Sequence, residues 1–342
     1  LKDVAEYVNL APATVSLILN DSPAAHSIPA ETKERVVAAA RTLRYRPDYL
    51  ARSLRSGRSL SVGVLLPEIS EAYAAEVMSG IESRLLEEGY FYLVASHRRS
   101  TAGLLEDSLH LLERRMVEGL ILVATEIPEA PVLPTVVISG HTPMEGVTNV
   151  VVDHDRAAQL ALSHLAELGH ERIAFFLGQP GSSDTEERWR AILAEAASLG
   201  LEVEPELTLQ LSGEKSGARF SVEEGYPEGY AYGQMLLDRR PDFTALFAFN
   251  DVSALGAIRA FLDAGLRIPE DVSVVGFDDI KSAAFTNPRL TTVRQPMREM
   301  GEKAARILLR RLGGESTTDG AVVMVEPELK IRDSTGPAPG RR

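Results

Sequence analysis

Residues 1–20, LKDVAEYVNLAPATVSLILN, decide how the rest of the chain is read. Val4, Ala5 and Val8 fall at helical spacing, Val15, Ile18 and Leu19 do so again, and a short turn separates the two stripes. Ala5 is small where two helices would cross. Asn9 stands at the turn, where helices meeting at a steep angle need a residue that tolerates positive φ; Gly serves best and Asn next. Pro12 suits a first helical position, where its missing N–H costs nothing. Thr14 and Ser16 offer hydroxyls beside a helix N-terminus, suited to phosphate oxygens. This is the spacing of a helix-turn-helix, although an ordinary helical hairpin shares it.

Working outward, Val36, Val37, Ala40 and Leu43 make a third stripe, so the first 45 residues read as a three-helix bundle with no β-rich run. From Ser61 the texture changes. Strands are expected at Ser61 to Leu66, Tyr90 to Ala95, Gly119 to Val123, Thr135 to Ile138, Arg172 to Leu177, Thr244 to Phe249 and Val272 to Phe277. Helices are expected between most of them, including Ala72 to Glu88, Arg156 to Leu168, Thr185 to Leu199 and Val252 to Ala264. Continuous apolar strands bracketed by helices indicate parallel sheets covered on both faces. Roughly 270 residues of this pattern exceed one open sheet, so the fold class is α/β with two doubly wound subdomains behind the helical segment.

Composition narrows the function. The chain of 342 residues has no cysteine, which removes disulfides and every thiolate nucleophile or metal site. No apolar run approaches the roughly 20 residues that span a bilayer; with the missing cysteines, this gives the expectation of a soluble, cytoplasmic protein with no membrane partner. The net charge is −13, unevenly spread: residues 1–60 hold nine Lys/Arg against six Asp/Glu, the remainder 27 against 43. A polyanion would therefore meet the N-terminal segment. Between Arg41 and Arg58 six arginines face only Asp48, a pattern that a solvated helix face also produces. There is no P-loop, H-E-x-x-H or G-x-S-x-G, and the S-x-x-K at Ser212 to Lys215 lies in a polar loop without partner motifs. The chain is thus expected not to be an enzyme and to need no cofactor or metal.

Asp3-Val4-Ala5, Thr14-Val15-Ser16, Asn20, Glu31-Thr32, Arg35-Val36, Tyr45-Arg46-Pro47 and Ala51-Arg52-Ser53-Leu54 occur in order, followed by Ile69-Ser70, Leu168-Gly169-His170, Phe249-Asn250-Asp251, Gly276-Phe277-Asp278-Asp279, Leu290-Thr291-Thr292 and Arg332-Asp333-Ser334. In these motifs the chain resembles the lac repressor (LacI/GalR) family, from residue 1 to about 335. The resemblance implies a helix-turn-helix headpiece at 1–46, a hinge helix at 47–58, and a periplasmic-binding-protein-like core at 61–333. That core would divide into an N-subdomain (about 61–152 and 295–318) and a C-subdomain (about 153–290 and 320–333), with a disordered tail at 334–342. The implied function is a sequence-specific transcriptional repressor: a homodimer on double-stranded operator DNA, controlled by a small-molecule effector, a sugar. The alternative is a periplasmic-type sugar-binding protein without a DNA role.

By the same resemblance the second helix enters the major groove with Pro12, Ala13 and Leu17 nearest the base edges, and Thr14, Ser16, Asn20, Tyr45 and Arg52 complete the DNA contacts. None of the three foremost residues can make the bidentate hydrogen bonds that usually read a base pair, which leaves thymine-methyl contact and shape readout. Asp48 can cap a hinge helix too short to persist alone in water, with Leu54 as a minor-groove wedge; a flexible Arg-rich linker is the other reading. Implied effector contacts are Ser70, Tyr73, Ser139, Arg188, Asn250, Asp278 and Gln295. Ser139 stands where sugar-binding members often carry Asp, and Ile192 is bulky where a small residue is usual. Asn250, Asp251, Asp278 and Asp279 all follow expected strands, where carboxylates and amides either bind vicinal hydroxyls or cap the next helix.

Overall fold

The computed structural model describes residues 1–20, 22–45, 58–97, 102–114, 117–180, 182–211, 225–239, 242–315 and 322–340. They form two compact units, Leu1–Leu60 and Ser61–Arg342. The expected hinge, with Arg52 and Leu54, and the charged stretch from Ser212 lie outside the described residues.

In the first unit α1 (Lys2–Val8), α2 (Pro12–Leu19) and α3 (Ala30–Thr42) enclose Val4, Ala5, Val8, Val15, Ile18, Val36, Ala39 and Ala40. Asn9 closes α1 in the left-handed region, φ 52° and ψ 50°, as the turn demands, and Pro12 occupies the first turn of α2. Arg35 Nη2 donates to the Val8 carbonyl at 2.9 Å, satisfying an end of α1 from α3. Leu43, expected on the third stripe, is exposed because the helix ends at Thr42.

The second unit holds two six-stranded sheets. The first runs β11-β5-β4-β3-β1-β2, all parallel, from β1 (Ser61–Leu66), β2 (Phe91–Ser96), β3 (Gly119–Val123), β4 (Thr135–Ile138), β5 (Val147–Val152) and β11 (Val322–Val325). The second runs β12-β10-β9-β8-β6-β7, from β6 (Ile173–Leu177), β7 (Thr208–Gln210), β8 (Ala245–Phe247), β9 (Ser273–Asp278), β10 (Thr291–Arg294) and β12 (Glu328–Lys330), with only the β10–β12 pair antiparallel. Strand order in each sheet switches sides at its first strand, between β1 and β3 and between β6 and β8, and such switch points open a crevice at the carboxyl ends of the parallel strands.

Helices cover both faces of the first sheet. Leu120 and Leu122 share a core with Leu112 of α5 (Ala102–Arg114), while Gly119 lies against Leu308 of α10 (Met297–Leu312). α10 in turn packs on α4 (Ala72–Glu87) so closely that a β-carbon on Gly80 would strike the Arg298 carbonyl, and one on Gly301 the Val77 carbonyl. In the second half, α6 (His154–Glu167) packs on α7 (Ser183–Leu199), and α8 (Gly225–Asp238) on α9 (Asp251–Asp263).

Two expectations need correction. Val322–Val325 pairs with β5 and so completes the first sheet, although 320–333 was grouped with the second; only β12 goes there. The Pro/Gly content after Asp333 predicts a disordered tail, yet Ser334 is fully buried. Its hydroxyl donates to the Val274 carbonyl and accepts from the Thr291 amide, the Gly336 carbonyl meets His170 Nε2 at 3.0 Å, and the Ala338 amide donates to the Leu168 carbonyl. Buried backbone pairing, which composition does not report, fixes residues 334–338.

Candidate functional site

In the headpiece, the exposed start of α2 carries Pro12 and Ala13, with Thr14 half-buried behind them. Ser16 is turned inward instead: its Oγ accepts from Asn20 Nδ2 at 3.2 Å, and the same amide donates to the Ser16 carbonyl at 2.7 Å. Leu17 and Tyr45 rest partly buried against the headpiece core. The outward surface of the helix is thus mainly small and apolar.

In the core, the crevice between β6 and β8 is where α7 begins. Gly178 follows β6 and Phe249 follows β8; a β-carbon on Gly178 would overlap both the Phe249 ring and Thr185 Oγ1, so glycine admits them. Arg188 is buried here, its guanidinium carbon 3.6 Å from the Phe277 ring centroid and 4.2 Å from that of Phe249. Nη2 donates to Asp184 Oδ2 at 2.7 Å and Nη1 to the Phe249 carbonyl. Two aromatic faces and a carboxylate hold this planar cation in one orientation. Ile192 lines the same recess, one helical turn beyond Arg188.

Asp278 ends β9, and the parallel register sets Arg294 of β10 opposite it, so Gln295 comes next and donates Nε2 to Asp278 Oδ1 at 2.5 Å. Burial pushes the Asp278 carboxyl up to about 7, against the pull of Arg188 and the Gln295 amide, and the charges of Asp184 and Glu71 add to the rise. Across the cleft, Tyr73 Oη and Ser139 Oγ lie 2.7 Å apart. Burial, then the charge of Asp184, raises the Tyr73 phenol above its ordinary value, which keeps its proton in place. Ser139 and Asp278 both hold positive φ, 57° and 114°, backbone that costs a non-glycine residue on the order of 1–3 kcal/mol and that concentrates at functional positions.

The remaining expected residues divide. Asn250 caps α9 through Oδ1, which accepts from the Ser253 amide at 2.9 Å, so its amide nitrogen and one lone pair of Oδ1 are left for a ligand. Asp251 is wholly buried and accepts from Thr292 Oγ1 and the Ile280 amide, and Asp279 pairs with Arg332; both are scaffold. Ser70 is exposed and donates to Glu68. Three residues were not foreseen. His141 Nε2 and His154 Nε2 both approach Asp184 Oδ1, at 3.2 and 3.0 Å. Burial pushes the Asp184 carboxyl up, but His154, Arg188 and His141 outweigh it and hold the group well below the usual carboxylate range. Burial also depresses His154, so the lasting counter-charge is Arg188. The i, i+4 spacing of Asp184 and Arg188 on a helix was the available signal.

Around this cluster Thr185 Oγ1, Arg188 Nε, Gln295 Oε1 and His154 Nδ1 are buried without a hydrogen-bond partner among the described residues. An unmet buried polar atom costs about 1–3 kcal/mol, and four beside one cleft mark a place for polar ligand atoms or water.

Against known proteins, residues 1–48 match the bacterial regulatory proteins of the lacI family, and residues 162–335 a periplasmic binding protein-like domain. The HTH-type transcriptional repressor PurR of Aliivibrio fischeri (strain MJ11) is 31% identical over 345 residues, covering 98% of this chain and 97% of that protein. This chain belongs to the lacI family of bacterial regulatory proteins. PurR of Haemophilus influenzae (strain ATCC 51907 / DSM 11121 / KW20 / Rd) is likewise 31% identical, over 98% of both chains. Among solved structures, a lac repressor dimer bound to operator and the anti-inducer ONPF superposes with a TM-score of 0.83 at 25% identity over 98% of both chains. A CelR–cellobiose complex gives 0.71 at 29% identity, over 97% of this chain and 98% of that one. As a lacI-family chain the protein is a DNA-binding transcriptional regulator, not an enzyme, and among its described residues no helix is long and apolar enough to cross a membrane.

Proposed function

We propose that this regulator is a cytoplasmic homodimeric repressor whose hold on operator DNA is set by a small polyhydroxylated effector, a sugar, closed between the two halves of the core. Tyr73 and Ser139 from the first half, with Ser70 at the mouth, and Arg188, Asn250, Asp278 and Gln295 from the second would contact it. The observation that carries this reading is the group of buried, unpartnered polar atoms on Thr185, Arg188 and Gln295 beside the Asp278 carboxyl. Hydroxyls both donate and accept, so vicinal hydroxyls match such a mixed set. A flat base would seek an aromatic face, but Phe249 and Phe277 already lie against the Arg188 guanidinium. The cellobiose bound by CelR supports the same class.

On the DNA side, Pro12 and Ala13 present apolar contacts to base edges, Thr14 serves phosphate, and Leu17, Ser16, Asn20 and Tyr45 hold the reading helix in place. Arg52 and Leu54 would complete the grip as phosphate contact and minor-groove wedge. The test is a thermal-shift panel of sugars, sugar acids, sugar phosphates and nucleobases; a ligand at 100 times its Kd stabilises by roughly 2.7 kcal/mol. A shift with one sugar class, lost in Arg188→Ala and Asp278→Ala, is the expected result. A shift confined to nucleobases overturns the sugar assignment.

A further inference from the structure

We infer that His141, His154 and Asp184 form a binding site for a zinc-class divalent ion that joins the two halves of the core. Two imidazole Nε2 atoms converge on one carboxylate oxygen, 3.2 and 3.0 Å away, and all three donor atoms lie within 4.8 Å of one another. Around a four-coordinate zinc with bonds of about 2.0–2.1 Å, neighbouring donors stand about 3.3 Å apart. The two separations from Asp184 Oδ1 therefore need to open by only a few tenths of an ångström, and the two imidazole nitrogens, no more than 4.8 Å apart, draw together to complete the set. Arg188 takes Oδ2 of Asp184 and leaves Oδ1 to the histidines. The three side chains are only 3–14% exposed, so bulk water competes weakly for the ion.

The donor set selects the ion. Two imidazoles with one carboxylate suit zinc and its borderline neighbours, whereas magnesium and calcium require oxygen. Three protein donors leave a fourth position for water or a ligand. Ligation through Nε2 puts the remaining ring proton on Nδ1; in His154 that buried atom has no protein partner, and a water can take it.

The placement gives the site its consequence. His141 lies in the loop after β4, on the first sheet, whereas Asp184 and His154 open α7 and α6, which pack beside the second. An ion held by all three binds only where the halves meet, so binding draws the core toward that arrangement. The expectation from sequence is that no metal is bound, since the chain has no cysteine and no H-E-x-x-H; these three donors are 13 and 30 residues apart, and only folding assembles them.

The test uses the full chain, stripped with chelator and free of any effector, so that its outcome is independent of the sugar assignment. Calorimetric titration with zinc chloride and visible absorption with cobalt(II) should each show one equivalent, with the d–d bands of a low-coordinate cobalt site. His141→Ala, in a loop and safe for folding, and Asp184→Asn should each weaken binding at least tenfold, with circular dichroism confirming the fold. His110→Ala, at an exposed histidine between Glu106 and Glu113, should leave binding unchanged. Absence of saturable binding, or an equivalent that survives His141→Ala in folded protein, overturns the proposal.

Discussion

Gln295 donates its amide to Asp278 because β10 runs parallel to β9 with Arg294 opposite Asp278, which leaves Gln295 beside the last carboxylate of the neighbouring strand. The pair gives the proposed effector cleft a titration near neutrality, since burial raises Asp278 to about 7. Effector hydroxyls donate best to the ionised form. Affinity measured calorimetrically should therefore rise between about pH 6 and 8 and then level, and Asp278→Asn should flatten the profile. Gln295→Leu, which removes a donor to the carboxylate, should move the midpoint upward. Fold stability has the opposite slope. The unfolded chain gives up this proton near pH 4 and the native state keeps it until about 7, so the contribution of Asp278 falls across that window and is constant above it.

Arg188→Lys should not rescue Arg188→Ala. A lysine keeps the charge but loses both the fork that meets Asp184 and Phe249 and the flat surface that lies on two rings. Effector affinity should fall at least tenfold in both variants, and the fluorescence of Trp189, the single tryptophan of the chain, should lose its response to effector.

Gly80→Ala tests the α4–α10 contact. The added carbon meets a backbone carbonyl that cannot swing aside, so the helices must separate, at about 1–3 kcal/mol. The core melting temperature should drop by several degrees, whereas Gly146→Ala, in open space at φ 78°, should cost only backbone strain.

Ser334→Ala should destabilise the core by about 1–3 kcal/mol, as it leaves the buried Thr291 amide without its acceptor. Ending the chain at Asp333 should cost more, since it also removes the Thr335 hydroxyl that meets His164 and the Gly336 carbonyl that meets His170. If residues 334–340 were an unstructured tail, both variants would melt like the parent.

Asn9→Ala should lower headpiece stability by about 1 kcal/mol and Asn9→Gly should not, because the residue sits at φ 52°. Operator affinity at a temperature near the headpiece transition would follow the same order.

The headpiece and most of the inner strands are legible in sequence because their signals are local, although β5 (Val147–Val152) and β10 (Thr291–Arg294), both interior, are not among the expected strands. Asn9, Pro12 and the stripe of Val4, Ala5 and Val8 each constrain neighbours a few residues away, and the apolar runs at 61–66, 119–123 and 135–138 became strands with those limits. Of the sheet edges β2 is expected, whereas β7, β11 and β12 are not. Val322–Val325 is a short apolar run that exposes two of its four side chains, and its place is set by pairing with Val150 and Val152 far back in the chain. The effector candidates were named by resemblance, and Arg188, Asp278, Gln295, Tyr73 and Ser139 do gather in the core. Asp184 and the two histidines escaped notice because nothing in their spacing links them; the loop after β4 meets the start of α7 only once both sheets have formed.

The interleaving of the two sheets bears on the order in which a ribosome delivers them. The first sheet begins with the earliest core strand, but the helix that covers β3, β4 and β5 and the strand that closes its edge are residues 297–312 and 322–325. The second sheet has its six strands only when β12 at 328–330 emerges, a few residues later. Neither half has all its strands until residues 322–330 have been made, so a stop codon anywhere before about residue 322 forfeits both halves together.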